Sequence, residues 1–315
     1  MKEILLAVVL LFIGFVLLIK GADFFVDGSS SVAKRLRVPS MIIGLTIVAM
    51  GTSLPECAVS VTASLSNNNT LAVSNAIGSN TFNLMVVCGM CALFASLLVK
   101  PETLKKEFPF SVICALLLLV FGFTGMKLGR LEGIIMLVIF TAYLLRMIIS
   151  AKKAREASEG EKEDYQILPV WKCIVFIAGG AVAIKFGGDF VVNGASTIAA
   201  SFGLSQTLIG LTVVALGTSL PELVTSIVAA RKNEVDMAVG NVVGSNIFNI
   251  LLVLGIASAI SPIDFLMDNV IDIIILIVMS AIVWIFAWFR KSIGRGEGII
   301  MLALYLAYMV YICVR

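Results

Sequence analysis

"GTSLPE" stands at residues 51–56 and again at 217–222. Each copy sets a glutamate inside an otherwise apolar run, directly behind a proline and closely behind a threonine and a serine. The match extends outward from the hexapeptides. "IGLTIVAMGTSLPE" (43–56) pairs with "IGLTVVALGTSLPE" (209–222), and "AVSNAIGSNTFN" (72–83) with "AVGNVVGSNIFN" (238–249), at one offset of 166 residues and without a gap. "GADFFVDG" (21–28) meets "GGDFVVNG" (187–194) at the same offset, and "GRLEGIIML" (129–137) meets "GRGEGIIML" (294–302) one residue out of step. The chain is an internal duplication.

The duplicated unit belongs in lipid. Of 315 residues 60% are hydrophobic and 14% charged, with a mean hydropathy of +1.07, a composition suited to a bilayer rather than to water. The net charge of +3 is too small to suggest nucleic acid, and no basic run is interleaved with aromatics. Histidine is absent, which removes serine–histidine and cysteine–histidine hydrolases, histidine-ligated zinc or haem, and any histidine proton switch. An aspartyl intramembrane protease usually carries G-x-G-D, which "FGGDF" at 186–190 does not fit. Neither an enzymatic activity nor a resident cofactor is expected. Cys88 and Cys91 fit C-x-x-C but lie in an apolar run without a second pair, so they read as small packing residues. The apolar run after Lys2 resembles a signal peptide. It lacks an A-x-A-like site and has a counterpart at 174–184, so it reads as a retained span.

Apolar lengths sufficient to cross the hydrocarbon fall at 3–33, 40–65, 70–98, 107–125 and 130–149, then at 169–199, 206–230, 236–260, 269–289 and 296–314. The first and sixth are long enough to tilt. The expected fold is an all-α membrane protein of ten transmembrane helices in two five-helix repeats, 1–150 and 169–315. They are joined by a charged linker over 151–168 whose core, "AKKAREASEGEKEDYQ" (151–166), reads as solvated and partly helical. Five spans per copy is an odd number, so the second copy must enter from the opposite side, giving inverted repeats. The basic residues agree. Lys34, Arg35, Arg37, Lys100, Lys105, Lys106, Lys152, Lys153, Arg231, Lys232, Arg290 and Lys291 all fall between spans on one side, while the other holds only Lys2, Lys127, Arg130 and Arg315. The 151–166 linker is therefore expected to be cytoplasmic in the cell membrane, with both termini outside.

A carboxylate at mid-membrane costs a few kcal/mol unless it faces a bundle interior, a cation or a proton. A mid-helix Pro55 would remove an amide and clash with the Gly51 carbonyl; Pro221 would do the same at Gly217. The freed carbonyls need partners. Thr52 and Glu56, like Thr218 and Glu222, stand i,i+4 on one face. Asn75, Ser79 and Asn83 form a polar stripe on the next span, repeated by Asn241, Ser245 and Asn249, while Gly78 and Gly244 invite close helix approach. Together the copies offer two carboxylates, amides, hydroxyls and loose carbonyls. This hard-oxygen set suits Ca²⁺ or Na⁺, and its charge of −2 balances one Ca²⁺. Asp23 and Asp189 are expected to pair with Lys20 and Lys185 at helical spacing, and Glu132 and Glu297 with Arg130 and Arg295 near span ends.

"GTSLPE" followed by "NAIGSNTFN", and again by "NVVGSNIFN", resembles the paired alpha repeats of the sodium/calcium exchangers, in the cation/calcium antiporter superfamily. The resemblance covers nearly the whole chain. The short linker is similar to that of prokaryotic members. It implies that Glu56 and Glu222 are the central acidic ligands, with Thr52 and Thr218 giving oxygens near calcium. Ala49 and Ala215 would give carbonyls to flanking sodium sites lined by Ser53, Ser219, Ser79 and Ser245, with Asn83 and Asn249 at the middle site. Potassium-dependent relatives have an aspartate where Asn249 stands. The proton/calcium branch usually reads G-N-x-x-E at the hexapeptide. The first difference, an aspartate that some prokaryotic members share, weakens the case for potassium co-transport, and the second favours sodium. The expectation is Na⁺/Ca²⁺ exchange by alternating access, electrogenic with more than two Na⁺ per Ca²⁺, with long spans one and six sliding as a pair across the rest. H⁺/Ca²⁺ exchange, K⁺-dependent exchange and a cation channel are the alternatives. The lipid bilayer and the transported ions are the expected partners, with no obligate protein partner.

Overall fold

The computed structural model describes residues 2–66, 69–157, 168–203 and 215–314. The first copy comprises α1 (Lys2–Leu36), α2 (Ser40–Thr52), α3 (Leu54–Leu65), α4 (Leu71–Phe94), α5 (Thr103–Phe123) and α6 (Arg130–Ala157). The second comprises α7 (Val170–Ser201), α8 (Ala215–Thr218), α9 (Leu220–Arg231), α10 (Val235–Ile260), α11 (Met267–Arg290) and α12 (Arg295–Val314). Eight of these are long and apolar enough to cross a membrane, and the α2–α3 pair, bent by 48°, would make a ninth. Large side chains such as Phe12, Ile148 and Phe289 face outward, as lipid contact requires. Cys88 and Cys91 are buried in the core as free thiols.

Three expected boundaries move by four residues or more. The fourth span begins at Thr103 rather than 107. The third span ends at Phe94 rather than 98, because Leu97–Leu98 form a strand, β1. The fifth continues to Ala157, well into the stretch read as linker, since "AKKARE" is rich in good helix formers. Most of the remaining linker, and positions 206–214 of the seventh span, lie outside the described residues.

Short strands fix the relation of the repeats. β1 (Leu97–Leu98) pairs antiparallel with β4 (Ser292–Ile293), and β2 (Lys127–Leu128) with β3 (Ile263–Asp264). β1 and β2 stand at opposite ends of the single helix α5, so the two ribbons cap opposite ends of the bundle. β1 and β3 are repeat equivalents, 166 residues apart, yet lie at opposite ends. The repeats are inverted. The end holding β1 and β4 is the basic one. There Lys100 meets Asp236 at 2.5 Å, Glu234 faces Lys34 at 3.7 Å, and Arg35 bonds the Leu168 carbonyl at 3.2 Å. At the opposite end Lys127 faces Asp264 at 3.7 Å.

α1 and α7 run antiparallel along each other through small residues spaced by seven. A Cβ added at Gly14 would come within 2.8 Å of the Gly187 carbonyl oxygen, at Gly21 within 3.0 Å of Gly180, at Gly28 within 3.1 Å of Cys173, and at Gly194 within 2.7 Å of Ala7. Backbones this close interlock over most of both helices. Of the two glycines read as approach points, Gly244 packs against Leu45 and Ala49 of α2. At Gly78 no described atom comes within 4 Å of an added Cβ.

Candidate cation site at the repeat interface

Each hexapeptide ends one helix and starts another. α2 stops at Thr52, Ser53 takes φ −86° and ψ 8°, and α3 opens with Pro55 in its first turn. Ser219, at φ −93° and ψ 5°, does the same between α8 and α9, with Pro221 in the first turn. This corrects the mid-helix clash expected at Gly51 and Gly217. A first-turn proline is tolerated because its missing amide would have had no intrahelical acceptor. Glu56 and Glu222 consequently sit in the first turns of α3 and α9, where the helix dipole favours negative charge.

The two breaks face each other. Ser53 donates to the Glu222 carboxylate at 2.8 Å, and Ser219 donates to Glu56 at 3.1 Å, so each acid is held by the serine of the other copy. Ser79 adds a bond to Glu56 at 3.4 Å. Both glutamates are fully buried, as are Thr52, Ser53, Ser219, Asn83, Ser245 and Asn249. No ion pair found among the described residues involves either glutamate.

The surrounding polar groups repeat across the same axis. Thr52 donates to the Asn241 side-chain oxygen at 3.1 Å, and Asn241 donates to Ser226 at 2.9 Å. Asn75 donates to Ser60 at 3.1 Å, the equivalent contact in the first copy. Asn80 and Asn246 each donate to the other's main-chain carbonyl, at 3.1 and 3.2 Å. Asn249 donates to the Asn80 side-chain oxygen at 3.1 Å. Asn83 and Asn249 each open a π-helical turn, Asn83–Val87 and Asn249–Leu254. Such turns loosen the regular carbonyl ladder and recur at functional sites. The Ala49 carbonyl accepts the Ser53 amide at 3.0 Å. Ala215 opens α8 at the edge of the described residues, followed closely by Thr218 at that helix's end.

Sequence reasoning missed Asn80 and Asn246, and the supporting Ser60 and Ser226. The signal was present, since "GSN" recurs in both copies at 78–80 and 244–246. The charged pairs are also partly reassigned. Lys185 meets Asp189 at 2.5 Å as expected, and Lys20 lies 3.9 Å from Asp23, but Asp23 has a closer partner in Lys232 at 3.3 Å. Glu297 pairs with Arg290 at 3.0 Å rather than with Arg295, which instead donates to the Leu93 carbonyl. No Glu132–Arg130 ion pair occurs among the described residues; Arg130 reaches the Ile260 carbonyl.

Several buried polar atoms at the centre make no protein hydrogen bond: the second carboxylate oxygens of Glu56 and Glu222, the side-chain oxygens of Asn83 and Asn249, and the Ser245 hydroxyl. Buried oxygens are costly to leave unbonded, and carboxylate, amide and hydroxyl oxygens are chemically suited to hard cations.

Inverted helical repeats that share one buried acidic centre define a membrane carrier for cations. The chain belongs to the sodium/calcium exchanger protein family, whose model matches residues 6–149 and 172–314. It is 43% identical to the putative antiporter CaxA of Alkalimonas amylolytica over 82% of each chain. It is 30% identical to the sodium/calcium exchanger MaX1 of Methanosarcina acetivorans, over 96% of this chain and 97% of that one. The solved structure of the sodium-calcium exchanger NCX_Mj, soaked with Na⁺ and Sr²⁺, is similar with a TM-score of 0.83 and 32% identity, covering 98% of each chain.

Proposed function

We propose that this chain exchanges Na⁺ for Ca²⁺ across the cell membrane by alternating access, with both ions using the centre between the hexapeptides. The observation that carries the reading is the reciprocal pair, Ser53 to Glu222 and Ser219 to Glu56, which brings two buried carboxylates into one site. Glu56 and Glu222 neutralise either one Ca²⁺ or two Na⁺, so the ions compete. Thr52 and Thr218 contribute oxygens near the Ca²⁺ position. Ala49, Ala215, Ser53, Ser219, Ser79 and Ser245 line flanking Na⁺ positions, and Asn83 and Asn249 the middle one. Uptake of more than two Na⁺ per Ca²⁺ makes the cycle electrogenic.

The ten-span arrangement is part of the proposal. The loops at 37–39, 95–102, 232–234 and 291–294 share one face through Glu234–Ser40, Lys100–Asp236 and the β1–β4 ribbon. An even number of crossings must separate them. That parity favours one crossing by α2 with α3, and another by the segment ending in α9. The basic face is then cytoplasmic, with the linker on that side and both termini outside. In this scheme α1 and α7 slide together over the remaining helices, which form a fixed scaffold.

The test is ⁴⁵Ca²⁺ flux into reconstituted vesicles with Na⁺, K⁺ and H⁺ gradients varied separately. Uptake driven by an outward Na⁺ gradient and accelerated by an interior-positive voltage is expected, because more than two Na⁺ leaving for each Ca²⁺ entering carries net positive charge outward. Uptake driven by H⁺ alone, a K⁺ requirement, or flux without counter-ion would each contradict the reading.

A further inference from the structure

We infer that Lys232 and Glu234, on the turn between α9 and α10, are positioning residues that latch α1 and hold the shared centre closed toward the basic face. The inference rests on the alternating-access reading above. Lys232 donates to the Asp23 main-chain carbonyl at 3.1 Å, lies 3.3 Å from the Asp23 carboxylate, and bonds Asp27 at 2.7 Å. Glu234 accepts the hydroxyls of Ser30 and, at 2.8 Å, Ser40, and faces Lys34 at 3.7 Å. Between them Asn233 takes φ 62°, a left-handed conformation that asparagine tolerates well, so both charged side chains leave one tight turn.

This turn joins α9, which carries Glu222, to α10, which carries Asn241, Ser245 and Asn249. The latch therefore ties the mobile unit directly to the helices of the site. Because α1 is interlocked with α7 through their glycines, holding one holds both.

Among the described residues the opposite face shows no equivalent. The position corresponding to Lys232 is Ser66, which is uncharged, and the counterpart of Asp27 is Asn193. Asp189, the counterpart of Asp23, pairs with Lys185 on its own helix. A cavity of about 300 Å³ opens there between α3, α7 and the second hexapeptide, bordered by Pro55, Gly188, Asp189, Asn193, Thr218 and Pro221. One face is tied by charge across helices, and the other borders open space beside both hexapeptides.

Two measurements test the latch. In right-side-out and everted membrane vesicles, Lys232→Gln is expected to lower the KM for Ca²⁺ offered to the basic face by about fivefold and to raise it on the other face. That is the scale of one or two partly exposed ion pairs biasing a two-state equilibrium. Glu234→Gln should act in the same direction, and Lys232→Arg should restore the wild-type ratio. Independently of transport, Ala58→Cys borders the same cavity. With C57S and C313S in place, its labelling by a membrane-impermeant maleimide should slow severalfold when Lys232→Gln is added. An unchanged ratio of sided KM values, or unchanged labelling, overturns the latch even where wild-type exchange is intact. Absence of Na⁺-driven flux in wild-type vesicles would instead defeat the exchange reading and leave the labelling result to decide the latch.

Discussion

The centre of the molecule and its two ends obey different rules. At the centre the halves exchange equivalent contacts: Ser53 with Glu222, Ser219 with Glu56, and Asn80 with Asn246 in both directions. At the ends the equivalence fails. α1 is tied to the α9–α10 turn by Lys232 and Glu234, whereas Asp189 on α7 pairs within its own helix beside a cavity. A cation must be met by the same ligands from either face, so symmetry serves the centre. A single conformation can be open to only one face, so the ends must differ in any one state. Departures reach the centre as well: Asn249 bonds Asn80 while both polar atoms of Asn83 remain unbonded, and Ser79 bonds Glu56 while the Ser245 hydroxyl makes no protein hydrogen bond.

The largest expected effect tests the symmetry of the centre. Glu56→Gln and Glu222→Gln should each lower Ca²⁺ flux by more than about a hundredfold, since each removes half the charge that balances the ion. Flux assays on both variants would break the comparison if one lost transport and the other kept it. Ser53→Ala and Ser219→Ala should cost about tenfold in apparent Ca²⁺ affinity, the usual scale for a group that orients a ligand, and by similar amounts in the two copies. Strongly unequal losses would show that the reciprocal bonds are not equivalent. Gly21→Leu and Gly180→Leu should each destabilise the fold by about 1–3 kcal/mol, because the added side chain meets the facing backbone. A thermal melt in detergent that left the midpoint unchanged would deny the interlock of α1 with α7. The smallest effect sharpens the contrast between the ends. Asp189→Asn should leave the ratio of sided KM values within about twofold, because an exposed pair within one helix contributes little. Asp23→Asn, on the latched side, should move that ratio.

Much of this was legible in the sequence because lipid and duplication leave strong marks. Apolar length placed most of the described helices to within a few residues, the extension of the fifth to Ala157 excepted. The expected odd number of spans per copy pointed to the inversion that the paired strands show. Two acids in apolar runs pointed to the glutamates that the two hexapeptides bring together. Other features were hidden for physical reasons. The break falls at Ser53 and Ser219, not at the prolines, because a proline fits the first turn of the following helix as well as it disrupts the preceding one. The π turns at Asn83 and Asn249 follow from packing and have no local composition. The seven-residue glycine register between α1 and α7 was spread among other glycines and needed the partner helix to be seen. Lys232 read as one more loop charge, since its partners Asp23 and Asp27 lie more than two hundred residues away in sequence.

The most direct test of a single shared centre is equilibrium ⁴⁵Ca²⁺ binding to the purified protein across a Na⁺ titration. The account predicts a single Ca²⁺ per chain, displaced competitively by Na⁺ and lost in both Glu56→Gln and Glu222→Gln. Two independent Ca²⁺ sites per chain, or wild-type Ca²⁺ binding in either variant, would contradict it.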